Sequence, residues 1–372
     1  MAKKSTDPKT QTDETDEIAA LAVEDDPQVV DEAATEEIHG NTFSISSYGA
    51  DYTIDGLVKR MKNESFYVPP FQRSYVWNQR QASRFIESLL MGLPVPGLFV
   101  FKEPDSAKHL IVDGQQRLKT LQYFYSGTFR ERKFRLLDVS EKWSQKSYDE
   151  LGEDDRQRLD DSIIHTTIFK QELPEGDKSS IYEVFERINT GGIKLSAQEI
   201  RACVSHGSFI ELLRRMNDNK DWRAIYGTKS DRLKDQELIL RFLAFAYNRA
   251  AYKRPMRRFL DRFLDDNVNP DHQTADDFRT LFEKTIHEIS LAIGKGAFRP
   301  EKQLNTAVFD AVMVGLSVRL QDKKPVDHKK LGEAYAALLK DEGFQKAYLK
   351  ATADQEQVRT RIDAAIAAFS SV

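Results

Sequence analysis

The sequence predicts an α+β N-terminal domain followed by an all-α C-terminal domain. Three observations carry that expectation. Up to about residue 205, short β-rich apolar runs alternate with stretches of helical periodicity. Beyond it, apolar residues recur at helical spacing and no strand pattern competes. Ahead of both, residues 1–42 form an acidic tail expected to be disordered, since residues 1–40 hold 12 acidic and 3 basic side chains. The domains are therefore drawn at 1–42, 43–205 and 206–372.

Taken in order, "YTIDGLVKRMKNESFYVPPFQRSYVWN" (52–78) reads as a short helix and then an extended segment, because Pro69 and Pro70 favour extended backbone and cannot donate to a central strand. "QRQASRFIESLLMGL" (79–93) places Phe85, Leu89 and Leu93 at helical spacing and ends near Gly92 and Pro94. "GLFVF" (97–101) and "HLIV" (109–112) read as strands, followed by a helix that opens at Asp113-Gly114. Further strands are expected at "KFRLLDV" (133–139) and "IIHTTIFK" (163–170), with a polar helix between them. Residues 177–204 read as a helix stopped at Gly191-Gly192 and a second helix in which Ser196 and Glu199 have capping-box spacing. Helices are then expected at 235–250, 255–266, 276–293 and 304–320, with no internal repeat.

Composition narrows the function. No apolar run approaches the roughly 18 residues that span a bilayer, and the N-terminus lacks an apolar core ahead of a cleavage site, so the expected compartment is the cytoplasm and no membrane partner is expected. A lone Cys203 and scattered histidines offer no zinc spacing. There is no GxxxxGK[ST] loop, no GxGxxG and no GxSxG, which disfavours a standard P-loop ATPase, a dinucleotide fold and an α/β hydrolase. Outside residues 1–40 the chain is mildly basic, with 52 basic against 47 acidic side chains, a balance that permits nucleic-acid binding.

The most informative stretch is "HLIVDGQQRLKTLQYFY" (109–125). An apolar strand stops at Asp113, Gly114 permits an unusual turn or a close ligand approach, and a helix begins at once. A helix N-terminus offers unpaired N–H groups and partial positive charge, so a phosphate there meets ready donors, with Arg117 able to add a charge-assisted pair. Gln115 and Gln116 suit a phosphate, a base edge or an attacking water. Asp113 has three roles open to it: helix cap, metal ligand or general base. An ordinary capped turn accounts for the same residues.

"VDGQQRLKTL" (112–121), the upstream "VPPFQRSYVWN" (68–78) and the downstream "FERINTGGIKLSAQEIRA" (185–202) resemble, in order and spacing, three signature blocks of the GmrSD N-terminal domain family. The resemblance implies a ParB/sulfiredoxin-like fold and a role in defence against phage DNA as a modification-dependent restriction or sensing protein that binds or hydrolyses a nucleoside triphosphate with Mg2+. It places Asp113, Gly114, Gln115, Gln116 and Arg117 in the nucleotide site, and Gln72 and Arg73 on the opposite wall. Tyr75 and Trp77 on that wall would recognise modified DNA. No His-rich nuclease module of the HNH type is evident, since His206, His272, His287 and His328 are far apart. DNA cleavage would then come from the N-terminal domain itself or from a separate nuclease subunit, and self-association stays open.

Other candidates have plain alternatives. Phe71, Arg73, Tyr75 and Trp77 lie at period two and would share one side of an extended segment, as a stacking wall or as core. Asn189 and Gly191 offer a phosphate or metal contact or a glycine helix stop. "YNRAAYKRPMRRFLDRF" (247–263) is the strongest basic cluster, with Arg254, Arg257 and Arg258 as candidate DNA contacts or a solvated helix face.

Overall fold

The computed structural model describes residues 29–30, 44–68, 75–103, 107–173, 184, 187–188, 196–205 and 207–372. The chain forms two compact units, one of 37–188 with 197–210 and the other of 1–36, 189–196 and 211–372.

The first unit is built on a five-stranded mixed sheet. Its strands are β1 (Ser44–Thr53), β2 (Phe66–Tyr67), β3 (Leu98–Lys102), β4 (His109–Asp113) and β5 (Ile163–Leu173), in the spatial order β1-β5-β3-β4-β2. β1 runs antiparallel to β5 from Ser44 opposite Leu173 to Thr53 opposite Ile163. β3 lies parallel to β5 and antiparallel to β4, and β2 pairs parallel with β4. β3 and β4 are central, and Leu98, Val100, Leu110, Ile111 and Val112 are accordingly all buried. Such strands read as continuous apolar runs because both faces are covered.

Four helices pack with this sheet. α1 (Ile54–Lys62) follows β1 without a loop and is capped by Thr53, whose Oγ1 accepts from Gly56 N. α2 (Gln79–Leu90) starts with a capping box, in which Asn78 Oδ1 accepts from Gln81 N at 2.9 Å and Gln81 Oε1 accepts from Asn78 N at 3.0 Å. α3 (Gln115–Ser126) carries Leu118, Leu121 and Phe124 into the core, and α4 (Glu153–Asp161) contributes Leu159. α5 (Ala197–Val204) also belongs to this unit.

The strand expected at 133–139 does not form. Only Arg132–Lys133 is extended, in a two-residue pairing with Thr128–Phe129. Phe134 and Leu136 are buried as the alternation suggests, but their amides donate to Gly127 O and Lys146 O rather than to the sheet. Apolar alternation specified a buried face there, and the hydrogen-bond partners turned out to be loop carbonyls. β1 went unrecognised, being a polar, largely exposed sequence.

The second unit is helical from 211 onward, as the periodicity predicts. It comprises the C-terminal part of α6 (Ser208–Met216), then α7 (Lys220–Tyr226), α8 (Lys234–Asn248), α9 (Met256–Asp266), α10 (His272–Ala292), α11 (Thr306–Arg319), α12 (His328–Leu338), α13 (Glu342–Leu349) and α14 (Gln355–Phe369). α11 is apolar on all sides and buried along nearly its whole length, which makes it the central helix. Gly315 lets α14 approach closely: a Cβ there would sit 2.8 Å from Ala365 Cβ. Beside that contact Asp310 accepts from Arg241 Nε at 3.0 Å, from Arg241 Nη2 at 2.6 Å and from Arg361 Nη2 at 3.3 Å, all fully or nearly fully buried. Two guanidinium groups thus share one carboxylate, an arrangement that holds only while every member is present.

Candidate functional site at the strand-to-helix turn

Asp113 ends β4, and Gly114 takes the left-handed conformation at φ +100° before α3 begins. Any side chain would be strained there, and a Cβ would fall 2.2 Å from Leu98 Cδ2, inside the core contact between β3 and the turn. The glycine is therefore required on two counts. No side chain caps the N-terminus of α3.

Arg117 lies one turn into the helix, and its Nη2 donates to Asp113 Oδ2 at 2.7 Å and to Gly97 O at 2.9 Å. The side chains are unequally buried, Arg117 at 14% exposure and Asp113 at 39%. The carboxylate faces solvent, while the guanidinium lies under it and keeps its buried Nε without a partner among the described residues. The pair closes the turn on itself. Cavities of about 620 and 540 Å³ occur in the helical unit, and residues of the turn line neither.

The two glutamines diverge. Gln115 is buried at 8% exposure. Gln116 holds the chain that enters α2: its Oε1 accepts from Val76 N at 3.0 Å and from Trp77 N at 3.3 Å. The DGQQR turn and the end of the FQRSYVW block are thus brought together, but by a glutamine side chain accepting from main-chain amides.

Of the two alternatives that the period-two spacing left open, stacking wall or core, Tyr75 takes the core. Its ring is buried edge-on against Tyr123 and Phe129, and its hydroxyl shares a 2.7 Å hydrogen bond with Thr120 Oγ1. Burial pushes that hydroxyl up to about 12. The Tyr75 carbonyl accepts from Arg130 Nη2 at 2.9 Å. Trp77 is half-buried against Phe85. The apolar demand of the core claims the Tyr75 ring before any base could stack on it. Gln72, Arg73, Asn189 and Gly191 lie outside the described residues.

One residue near the turn was not among the sequence-based candidates. Lys119 is half-buried, has no acidic partner among the described residues, and burial pulls its pKa below the ordinary lysine value. The available signal was a second cation two positions after Arg117.

In the helical unit, Arg254 is exposed but ion-paired with Asp354, and Arg257 is half-buried and engaged within the fold. Arg258 is exposed on α9. Three of the histidines are separately paired: His272 with Asp276, His287 with Asp221 and His328 with Glu288.

Residues 54–204 match the GmrSD restriction endonuclease N-terminal domain family. This segment belongs to that family. The match therefore runs from α1 to the end of α5, with the DGQQR turn near its middle. No curated protein matches the chain. None of the helices among the described residues is long and apolar enough to cross a membrane.

Proposed function

We propose that this chain is a restriction-type defence protein acting on DNA, in which the DGQQR turn binds a nucleoside triphosphate with Mg2+, on a ParB/sulfiredoxin-like domain, and hydrolyses it to control DNA recognition or cleavage. The observation that carries the reading is the left-handed Gly114 joining Asp113 to an uncapped helix N-terminus, with Arg117 one turn in, inside a GmrSD N-terminal domain. The helix N-terminus and Arg117 suit phosphate oxygens. Asp113 suits Mg2+, which is commonly held by one or two carboxylates together with substrate phosphates and water. Bound there, the ion would offset charge on the phosphates during their hydrolysis.

The Asp113–Arg117 pair supports an exchange. Arg117 would hold a phosphate oxygen, and the Asp113 carboxylate, the more exposed partner of the pair, would hold Mg2+. Asp113 is the partner that can leave for water, while Arg117 keeps its hydrogen bond to Gly97 O at 2.9 Å. Gln116 is committed to Val76 and Trp77 and supports the wall. Gln115, buried at the first position of α3, is the glutamine assigned to positioning the attacking water.

The test is a thermal-shift screen of the four ribonucleoside triphosphates with Mg2+, followed by phosphate release. A ligand present at about 100 times its Kd stabilises by roughly 2.7 kcal/mol, enough to read. Arg117→Ala is expected to abolish the shift, and Asp113→Asn to remove its Mg2+ dependence. Absence of any shift or hydrolysis with all four would overturn the reading.

A second reading draws on the closed pair and on the Gln116 side chain's hold on the Val76 and Trp77 amides. In it the turn is a structural latch of a non-catalytic DNA- or partner-binding module. Arg117→Ala would then lower thermal stability while leaving nucleotide response unchanged. Direct nicking by the N-terminal domain is separated from both by plasmid relaxation that disappears in Asp113→Asn.

A further inference from the structure

α9 is anchored by Met256, Phe259, Leu260, Phe263 and Leu264, all buried on one stripe. Arg258 and Arg262, four residues apart, stand on the other face, one turn or about 6 Å from each other along the helix. Lys253 is exposed just before the helix. None of the three side chains has an ion-pair or hydrogen-bond partner among the described residues, whereas the neighbouring Arg254 is paired with Asp354 and Arg257 is engaged within the fold. The acidic residue inside the run, Asp261, is turned into the core. Three cations are therefore held outward by a rigid apolar anchor, and the one exposed acidic group on the same helix face, Asp266, stands a turn beyond Arg262 at the far end of the row and forms no ion pair with it.

From this we propose that the Lys253, Arg258 and Arg262 face of the helical unit contacts the phosphate backbone of duplex DNA. Its chemistry favours phosphate over a protein surface. No large apolar side chain is exposed among residues 249–266, so the face lacks the apolar centre that protein interfaces carry, while arginine forks match phosphate oxygens. Such a contact fixes register and carries no sequence information of its own. Arg249 lies at the margin of this face, in a cavity of about 620 Å³ that it shares with Arg359, Glu356 and Asp363, and the two carboxylates there limit how far a polyanion extends. The assignment revises the sequence-based set: Arg258 stays, Lys253 and Arg262 enter, and Arg254 and Arg257 leave because the fold already uses them.

The proposal rests on the DNA part of the reading above and not on its nucleotide part, so binding is measured without nucleotide. A fluorescein-labelled unmodified 25-base-pair duplex is titrated with the full-length chain across salt concentration. Each phosphate neutralised contributes about −0.9 to the slope of log K against log salt. The triple variant Lys253→Gln, Arg258→Gln, Arg262→Gln is expected to lose about 2–3 from the slope magnitude and at least tenfold in affinity at low salt, with its melting temperature unchanged. Arg254→Gln, which removes a cation already balanced, is expected to change the slope by less than one third of that. An unaltered slope in the triple variant, no duplex binding at low salt by the parent, or equal competition by poly-aspartate at matched charge would overturn the assignment, the last in favour of an acidic protein partner. The nucleotide thermal shift of the triple variant is expected to match the parent, so failure of either proposal is distinguishable from failure of the other.

Discussion

Replacing Gly114 by alanine tests whether the turn is held by geometry rather than by a tolerant loop. Two penalties are readable at the site. Backbone φ of +100° costs an L-residue roughly 1–2 kcal/mol. The new methyl would lie 2.2 Å from Leu98 Cδ2, and Leu98 is fully buried, so relief requires overpacking of the β3 core at about 1–3 kcal/mol. Against these, alanine restricts the unfolded chain and returns roughly 0.4–1 kcal/mol. The net destabilisation is about 1–5 kcal/mol. Gly127 is the internal control: it too is left-handed, at φ +72°, but a Cβ there meets nothing within 4 Å. Gly127→Ala keeps the backbone penalty and omits the collision. Hydrogen exchange followed by mass spectrometry on peptides spanning α3 reads the difference, because each 1.4 kcal/mol of lost opening energy is about a tenfold faster exchange. Gly114→Ala is expected to accelerate α3 exchange by roughly tenfold or more beyond Gly127→Ala. If the two variants exchange alike, the close approach of the turn to β3 is not a constraint, and the case for a rigidly posed Asp113 and Arg117 goes with it.

Three further outcomes are expected. Gln116→Ala deprives Val76 and Trp77 amides of their acceptor at a cost of about 0.5–1.5 kcal/mol, seen as faster exchange of the segment entering α2, and unchanged exchange there would refute the bridge. Asp310→Asn leaves Arg241 and Arg361 buried with reduced compensation and should destabilise the helical unit by roughly 3–5 kcal/mol in thermal denaturation; a loss under about 1 kcal/mol would show that the triad is dispensable. On the alkaline side, burial pushes Tyr75 up to about 12, and burial with the Asp160 hydrogen bond does the same for Tyr148. Both hydroxyls stay protonated longer in the folded than in the unfolded chain, so their stabilisation is complete below about pH 10 and disappears as pH rises toward 12. Tyrosinate absorbance should therefore rise together with unfolding in that window, and tyrosinate formation in a fully folded protein would contradict it.

Much of the site was legible because its signals are local. A β-rich run, Asp-Gly and then helical spacing were enough to place the turn at Gly114, since a left-handed residue and a helix start depend on a few neighbouring dihedrals. The same holds for the helical second half, where periodicity alone marked the cores of α8, α9, α10 and α11. β1 was invisible for the opposite reason. Ser44–Thr53 is a polar edge strand whose extended form is decided by pairing with β5, more than 100 residues away.

What the amino-acid sequence determined by itself is the set of groups available at the turn and the family of the domain that carries it. The tertiary structure decided their commitments. It folded Tyr75 into the core, tied Gln116 to the chain entering α2, set Arg117 beneath Asp113, and sorted an arginine-rich run into paired, buried and outward-facing members. The physical reason is that burial and charge pairing are settled by residues distant in the chain, such as Thr120 for Tyr75 and Asp354 for Arg254, whereas turns and helix starts are settled by adjacent ones.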